Sequence, residues 1–531
     1  LKDELFQSMV TETELENVNT TNPSREQQAG VCISVLSDLI YEEEIISLRG
    51  NLINPIYSLC IDSRKVVPGC LFFAIDGQHT NGSFYVEEAI DRGAIAVITD
   101  SPLPKHYPVP FIQVQNVREQ LSNISRRFYN HPDQKLRLTG ITGTNGKTTV
   151  SMLTKHLFGC GVPKYQTAVF GTVHYDVGGR VIPSMRTTPE AHDICSMLNS
   201  AVSAGCTRAI LEVSSHGICQ KRVHKLKFDT AVFLNLTPEH LDYHTGMEEY
   251  FSAKREFIIG ECTTRPKQVI INLDDDYGKR LFSEIPDDVV KIGFGEDKNS
   301  HFRARHIHYT STYTEFELEY PGGVMEIKSP MIGKFNVQNA LASLAIGWIE
   351  GFELSEMASQ LWKFKGSPGR LESVTEGQKF NVFVDYAHTS DALRNILSVL
   401  REVTDGRLLL VFGCGGDRDQ QKRPAMTSAA QEFCDYVWAT ADNPRSEPLD
   451  SIFNHMKDGV FFPDHIQFVK DRRRAIGLAI ENAKPNDCLV IAGKGHETYQ
   501  EVNNTIVAFD DRTVTRELLK LKKTSDGRIL Q

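Results

Sequence analysis

The chain has 531 residues, 40% hydrophobic and 24% charged, with 58 Lys and Arg against 68 Asp and Glu for a net charge of -10. That composition excludes bulk disorder and leaves chain for about three to five domains. The acidic balance argues against a protein that coats nucleic acid, and no apolar run reaches the ~18 residues of a membrane span.

Residues 1 to about 30 carry six acids (Asp3, Glu4, Glu12, Glu14, Glu16, Glu26) against Lys2 and Arg25. Neither a secretory signal nor a transit peptide has that character, so a polar, mobile extension is expected. From about residue 31 the pattern turns globular. Leu59–Ile61, Leu71–Ile75 and Ala94–Ile98 read as short strands, with Val67-Pro68-Gly69 as a turn and a helix over 83–92. A second unit holds apolar strands at Leu136–Ile141, Arg208–Val213, Thr230–Leu236 and Gln268–Asn272. A third holds Asn381–Asp385, Leu408–Phe412, Tyr436–Thr440 and Cys488–Ala492, after a hinge at Ser367-Pro368-Gly369.

Near-continuous apolar strands alternating with helices mean parallel sheets covered on both faces. The expected fold is three-domain α/β. A polar extension (1–46) precedes a small N-terminal α/β domain (47–134). A central P-loop domain (135–367) and a C-terminal Rossmann-like domain (368–531) follow. The 11 scattered cysteines, with no Cys-x-x-Cys pair, read as buried small hydrophobes in a reducing compartment.

Between a strand and a helix lies Gly143-Thr144-Asn145-Gly146-Lys147-Thr148-Thr149. Glycines let backbone N–H groups wrap phosphate oxygens, Lys147 reaches the β- and γ-phosphates, and the Thr148 hydroxyl suits Mg²⁺. The spacing is irregular, because Gly140 lies one position too far from Gly146 and Ile141 takes its place. Alone the loop says only ATP or GTP.

Glu212 ends a parallel strand, where ligands bind in open sheets, so it is a candidate to hold Mg²⁺ beside the loop. His240 and His244 lie with Glu239 and Asp242 in a loop after the next strand, and Lys254 follows on a helix. In the third unit four strands end in polar loops: Asp385–His388, Gly413–Asp419, Asp442–Glu447 and Gly493–Glu497. Together they form a binding face, and arginine there points to a carboxylate or phosphate ligand. Glu42-Glu43-Glu44 and Arg472-Arg473-Arg474 read as solvated faces.

These motifs, in this order over residues 47–525, resemble the Mur ligases, and within them the branch that adds meso-diaminopimelate to form a UDP-MurNAc-tripeptide. The Thr-Gly-Thr-Asn-Gly-Lys-Thr-Thr loop is that family's P-loop variant. The resemblance implies an ATP-dependent ligase using Mg²⁺, with UDP-MurNAc-L-Ala-D-Glu and meso-diaminopimelate as partners. It implies a cytoplasmic monomer of a peptidoglycan-making cell. Asp62-Ser63-Arg64 resembles the uridine-binding segment, although Gly77-Gln78-His79 inverts the family's usual His-Gln order. Ser63, Thr187, Thr188, Ser214, Gln220 and Arg222 are implied to hold the UDP-MurNAc-peptide.

Thr148 and Glu212 match one Mg²⁺ site, and His240 and Lys254 the second, Lys254 after carbamylation by CO₂. Lys147, Lys254 and His240 are the implied catalytic residues. Asn336, Asn339, Arg370 and Asp385 match ATP contacts. Arg418, Asp442, Asn443, Pro444, Arg445, Gly493 and Glu497 match the amino-acid pocket. Arg445 would pair with the distal carboxylate of diaminopimelate, which lysine lacks, and Glu497 would accept from the distal ammonium. The competing role for Arg445 is an ion pair with Asp442 or Glu447. His216 and His388 are candidates for the base.

Three alternatives differ in kind. A lysine-adding Mur ligase would not want Arg445. A folylpolyglutamate-synthetase-like ligase would lack the uridine-binding domain. A P-loop NTPase module would leave the third-domain loops unexplained.

Overall fold

The computed structural model describes residues 32–77, 81–102, 108–159, 166–239, 243–503 and 505–529. Sheets of five, eleven and six strands organise them, one for each unit along the chain. In the first unit β1 (Ser58–Cys60), β2 (Cys70–Ala74) and β3 (Ala94–Thr99) run parallel, followed by Phe111–Gln113 and an antiparallel edge at Ser47–Arg49. Helix α1 (Val117–Phe128) closes the unit and touches the next, where Ser122 Oγ donates to the His224 carbonyl at 2.6 Å.

The folded unit begins before the expected limit at 46. Leu36, Leu39 and Ile40 are buried in its core, and Ser34–Val35 pairs with Pro55–Ile56. Apolar residues at 36, 39 and 40 share one face of a helical turn, a signal diluted by polar neighbours. Glu44 also departs from the solvated reading: Arg127 grips its carboxylate at 2.7 and 2.8 Å. Burial would raise the Glu44 pKa, but the Arg127 pair outweighs it and the carboxyl lies below its usual range.

The second unit is built on β4 (Arg137–Thr142), which feeds helix α2 (Lys147–Phe158). Its sheet-mates β5 (Arg208–Glu212) and β6 (Thr230–Phe233) lie on either side, and β7 (Gln268–Asn272) lies beyond β6. Helix α3 (Met247–Ile259) connects β6 to β7. Side chains alternate between two cores: Val269 and Ile271 enter one, Ile270 the other. That two-faced burial is why these strands read as continuous apolar runs. Strands Phe302–Tyr309, Thr314–Tyr320 and Gly323–Ser329 extend the sheet, the last two antiparallel, and His174–Asp176 and Val181–Pro183 do the same at the other edge. The sheet is therefore mixed, parallel only in its middle. Helix α4 (Lys334–Ile349) packs beside α2 in the second of the two cores.

In the third unit β8 (Asn381–Asp385), β9 (Leu408–Cys414) and β10 (Tyr436–Ala441) are parallel, and helix α5 (Arg472–Asn482) precedes β11 (Cys488–Ala492). β11 inserts between β8 and β9. All four strands thus end on one edge, and the four polar loops share it.

Arg472 does not sit on a solvated face. It is fully buried, paired with Asp511 at 2.7 Å, and donates to the carbonyls of Ala441 and Ala492 at 3.2 and 2.8 Å. Those carbonyls end β10 and β11, so one guanidinium ties together the roots of two pocket loops. Breaking a buried pair leaves an uncompensated charge. Asp511→Ala is expected to lower unfolding stability by about 3–5 kcal/mol, measured by urea denaturation. A loss under about 1 kcal/mol would mean the pair does not carry that load. Among the described residues no helix is long and apolar enough to cross a membrane, and the described cysteines are free thiols.

Candidate functional site

The loop between β4 and α2 is set by Gly146, whose φ of +90° opens the helix from the left-handed region. A Cβ there would come within 2.5 Å of Asn339 Oδ1, so the glycine also admits α4 against the loop. Asn339 donates to Asn336 Oδ1 at 3.1 Å and Asn336 to the Ile332 carbonyl at 2.9 Å, placing both asparagines beside the loop. Lys147 Nζ donates to the carbonyls of Gly143 (2.7 Å) and Thr144 (2.9 Å). Asn145 N–H bonds Asn235 Oδ1 at 2.9 Å, and Thr149 is buried in the first turn of α2.

Glu212 is 1% exposed and receives four donors: Thr148 Oγ (3.1 Å), Thr172 Oγ (2.9 Å), Thr172 N–H (3.1 Å) and Ser151 Oγ (3.4 Å). A Cβ on Gly171 would lie 2.0 Å from Glu212 Oε1, so only glycine lets the carboxylate approach this closely. Thr172, Ser151 and Gly171 have no motif signal, because they meet Glu212 across 40 to 61 residues of sequence.

Lys254, 1% exposed on α3, donates to the Gly143 carbonyl at 3.1 Å, the same acceptor that Lys147 uses. Its amine stands 4.7 Å above the Tyr250 ring, and the Tyr250 hydroxyl meets Thr144 Oγ at 3.2 Å. Burial, reinforced by Lys147, holds the Lys254 pKa well below the usual lysine value. Burial in this chamber therefore shifts the balance from the ammonium toward the neutral amine. His240 lies outside the described residues, as do Gln78 and His79.

On the other side of Glu212, Thr188 Oγ donates to the Glu212 carbonyl (2.8 Å) and meets Ser214 Oγ (3.0 Å). Arg222 donates to the Thr188 carbonyl (2.8 Å) and to Gln220 (2.6 Å), and Thr187 Oγ meets Thr172 Oγ at 3.1 Å. One network thus joins Thr187, Thr188, Ser214, Gln220 and Arg222. Ser63 is not part of it: its hydroxyl bonds Glu88 in the first unit at 2.6 Å. His216 packs on Tyr243 with ring centroids 4.2 Å apart.

The third unit faces this chamber. Arg370 lies 4.7 Å over the Tyr386 ring. Burial lowers the Lys147 pKa, and the charge of Arg370 pushes it the same way. Asp385 is buried and accepts from the N–H groups of Leu371 and Ala387, both at 2.7 Å, and burial raises its pKa. His388 Nδ1 pairs with the Tyr386 carbonyl at 2.9 Å.

His496, packed 5.1 Å from the Tyr386 ring, has its pKa lowered to about 4 by burial and by Arg370 and Arg512. Between that value and the ordinary histidine value of 6.5 the unfolded chain binds more proton, so stability falls as pH drops through this window. The slope is at most about 1.4 kcal/mol per pH unit. Urea unfolding of wild type and His496→Gln between pH 7 and 4.5 is expected to show a shallower loss in the variant. Parallel curves would refute the assignment.

Around the pocket loops, Asn443 Nδ2 (2.9 Å) and Lys494 Nζ (3.0 Å) both donate to Glu497 Oε2. Lys494, fully buried, also donates to Asn443 Oδ1 at 2.9 Å. Asp442 Oδ1 accepts from Asn443 N–H at 2.7 Å, and a Cβ on Gly493 would lie 2.6 Å from Asp442 Oδ2. Pro444 lies against Gly416. Arg445 Nη1 donates to the Gly416 carbonyl at 2.8 Å, and Arg445 pairs with Glu501 at 3.2 Å, not with Asp442 or Glu447. Glu447 is taken by the buried Arg423 at 2.6 Å, which pulls its pKa to about 2. Arg418, exposed, shares the Gly415 surface with Arg445: a Cβ there would lie 3.2 Å from Arg445 Nη1 and 3.7 Å from Arg418 Cγ. Lys494 and Glu501 have no motif signal, since each reaches Asn443 across more than 50 positions.

Three family models match in chain order: the Mur ligase family catalytic domain over 55–129, the middle domain over 141–347, and the glutamate ligase domain over 369–495. Among the curated relatives is the UDP-N-acetylmuramoyl-L-alanyl-D-glutamate--2,6-diaminopimelate ligase of Solibacter usitatus. It is 43% identical over 87% of this chain and 93% of its own length. The enzyme of that name from Caldanaerobacter subterraneus is 38% identical over 89% and 96%. A solved structure of a ligase of the same name aligns with a TM-score of 0.66 at 32% identity, covering 92% of this chain and 99% of its own. A folylpolyglutamate synthase from Mycobacterium tuberculosis, complexed with ADP and AMPPCP, shares the fold with a TM-score of 0.57. It is 18% identical over 71% of this chain and 92% of its own.

Proposed function

The chain belongs to the Mur ligase family, and from that premise we propose that it joins meso-2,6-diaminopimelate to UDP-MurNAc-L-Ala-D-Glu at the expense of ATP, in peptidoglycan precursor synthesis. One observation carries the choice of amino acid. The edge of the third sheet carries guanidinium groups (Arg445, Arg418) beside Gly415 and a carboxylate (Glu497) bonded to Asn443, two residues before Arg445. The distal centre of diaminopimelate is a zwitterion that matches both signs. Two donors occupy Glu497 Oε2, so Oε1 is the oxygen left to accept from an ammonium.

The residues fit the implied groups. Mg²⁺ takes hard oxygen ligands and shares its shell with phosphates. Thr148 and Glu212 supply such oxygens in the buried cage. A neutral amine is the form that captures CO₂, and burial favours that form at Lys254, so a carbamate there with His240 would supply a second oxygen-rich site. When bound, Mg²⁺ offsets the charge between polyphosphate and carboxylate.

This chain's own residues account for the rest. Lys147 leaves its loop carbonyls for the β- and γ-phosphates. Asn336 and Asn339 face the adenine, and Arg370 and Asp385 complete the nucleotide site from the third unit. The Thr187–Arg222 network and Ser63 hold the UDP-MurNAc-peptide, with its free D-Glu carboxylate toward the loop. That carboxylate takes the γ-phosphoryl group, ADP leaves, the diaminopimelate amine attacks the acyl phosphate, and phosphate departs. The domains we assign to these roles are the first unit through 134, including the core residues ahead of 47, then 135–367 and 368–531. The reading takes the chain to work as a monomer in the cytoplasm, where its substrates are made.

The test is phosphate release with ATP, Mg²⁺ and UDP-MurNAc-L-Ala-D-Glu, with diaminopimelate, L-lysine or no amino acid. Release with diaminopimelate alone, with a tripeptide product by mass, is expected. Release with lysine instead would move the chain to the lysine-adding branch, and release indifferent to any amine would remove the ligase reading.

A further inference from the structure

We propose that Glu501 is a positioning residue for the amino-acid substrate, holding the Arg445 fork in the direction from which it can meet a ligand carboxylate. The inference rests on the diaminopimelate reading above.

Arg445 needs such a holder. Its φ of +54° is left-handed, a region that a bulky non-glycine residue occupies at a cost of order 1–3 kcal/mol. The hairpin formed by Tyr499–Val502 and Thr505–Ala508 maintains it. Arg445 N–H donates to the Glu501 carbonyl at 3.0 Å, and Asn503 N–H donates to the Arg445 carbonyl at 2.7 Å. Glu501 N–H in turn bonds Asn443 Oδ1 at 3.0 Å, and Gln500 bonds the Asp442 carbonyl at 2.7 Å. The pocket loop and the hairpin are zipped together along their backbones.

The side chains repeat the arrangement. Glu501 meets Arg445 Nε at 3.2 Å, on the back of the guanidinium, and the Gly416 carbonyl meets Nη1. Among the described residues none accepts from Nη2. The two carboxylates nearer in sequence are engaged elsewhere, Glu447 by Arg423 and Asp442 by the Asn443 N–H. Asp417 also feels the Arg445 charge but is bonded to Ser446, so Glu501 is the carboxylate in direct contact with the fork. The pair is partly exposed, at 21% and 29%, and pairs of that kind contribute little to folding. Its consequence lies in where the fork points, which matters because bidentate recognition tolerates little angular error.

The experiment is steady-state kinetics of wild type, Glu501→Ala and Glu501→Gln with diaminopimelate, ATP and UDP-MurNAc-L-Ala-D-Glu each varied. Glu501→Ala is expected to raise KM for diaminopimelate about tenfold. Its kcat and its KM for the other two substrates should stay within about twofold, because the reacting groups are untouched. Glu501→Gln keeps an acceptor for Nε and is expected to restore KM to within about threefold of wild type. An unchanged diaminopimelate KM in Glu501→Ala would overturn the proposal. So would an equal rise in all three KM values, which would mark a merely structural residue. The function reading fails separately: wild type would then show no diaminopimelate-dependent release at all.

Discussion

Lys254→Ala is expected to lower ligation by about 10³-fold while the protein stays folded. Lys254 is a long amine-bearing side chain buried above an aromatic ring, with Lys147 sharing its carbonyl acceptor. For folding alone, an apolar side chain would serve this place better. A charge-bearing group kept in so unfavourable a position points to chemistry. The sign of its linkage follows. The folded pKa lies below the ordinary lysine value of 10.5, so the unfolded chain holds the extra proton between the two. Stability therefore rises with pH through that window and is lost as pH falls toward the folded pKa. Lys254→Met is expected to flatten this slope and to be at least as stable as wild type near neutrality. It should be as inactive as the alanine variant. Added formate or acetate should restore part of the rate in Lys254→Ala, since a small carboxylate supplies the oxygen ligand that a carbamate would. Rates in Lys254→Ala within tenfold of wild type would refute the role. A ¹³C-bicarbonate-treated wild type without a carbamate resonance would refute the modification.

How much of this was legible depends on how locally each feature is encoded. β7 and β9 are buried on both faces, so their residues are apolar in unbroken runs and their positions were plain. Strands 302–309 and 314–320 alternate buried and partly exposed residues, carrying Arg and Glu on the outer face. Such strands lack the continuous apolar run that marks a strand buried on both faces, so this edge of the sheet is not legible in the sequence. The P-loop was legible because its chemistry lies within eight consecutive residues. The Glu212 cage was legible only at Glu212 and Thr148, since its other walls arrive from Ser151 and Thr172 by tertiary contact. Arg472 is the sharpest failure. Three adjacent arginines have one composition, but the turn of the helix sends Arg472 inward to Asp511 and Arg473 outward to Glu517. Composition alone does not say which arginine of a run finds a buried partner 39 residues away.

Arg445→Ala is expected to reduce kcat/KM for diaminopimelate by about 10²–10³-fold, and to narrow the preference over L-lysine by at least that factor. At about 4 Å and an effective dielectric near 20, two unit charges interact by about 4 kcal/mol. The distal carboxylate of diaminopimelate gains that attraction from the fork. The distal ammonium of lysine, with no carboxylate beside it, meets repulsion of the same order. Removing the guanidinium deletes both terms, so the two amino acids should converge from opposite directions: diaminopimelate worsens while lysine improves or holds. Arg445→Lys should recover little for diaminopimelate, because a point charge on a flexible stem cannot reproduce the fork and would lose the Nε contact to Glu501. The comparison is of kcat/KM for both amino acids on both variants, with ATP and UDP-MurNAc-L-Ala-D-Glu saturating. An equal drop for the two amino acids would mean that Arg445 supports the loop without reading the substrate. The Arg445–Glu501 pair would then be a feature of folding, and the choice of amino acid would have to reside in Arg418 and Glu497.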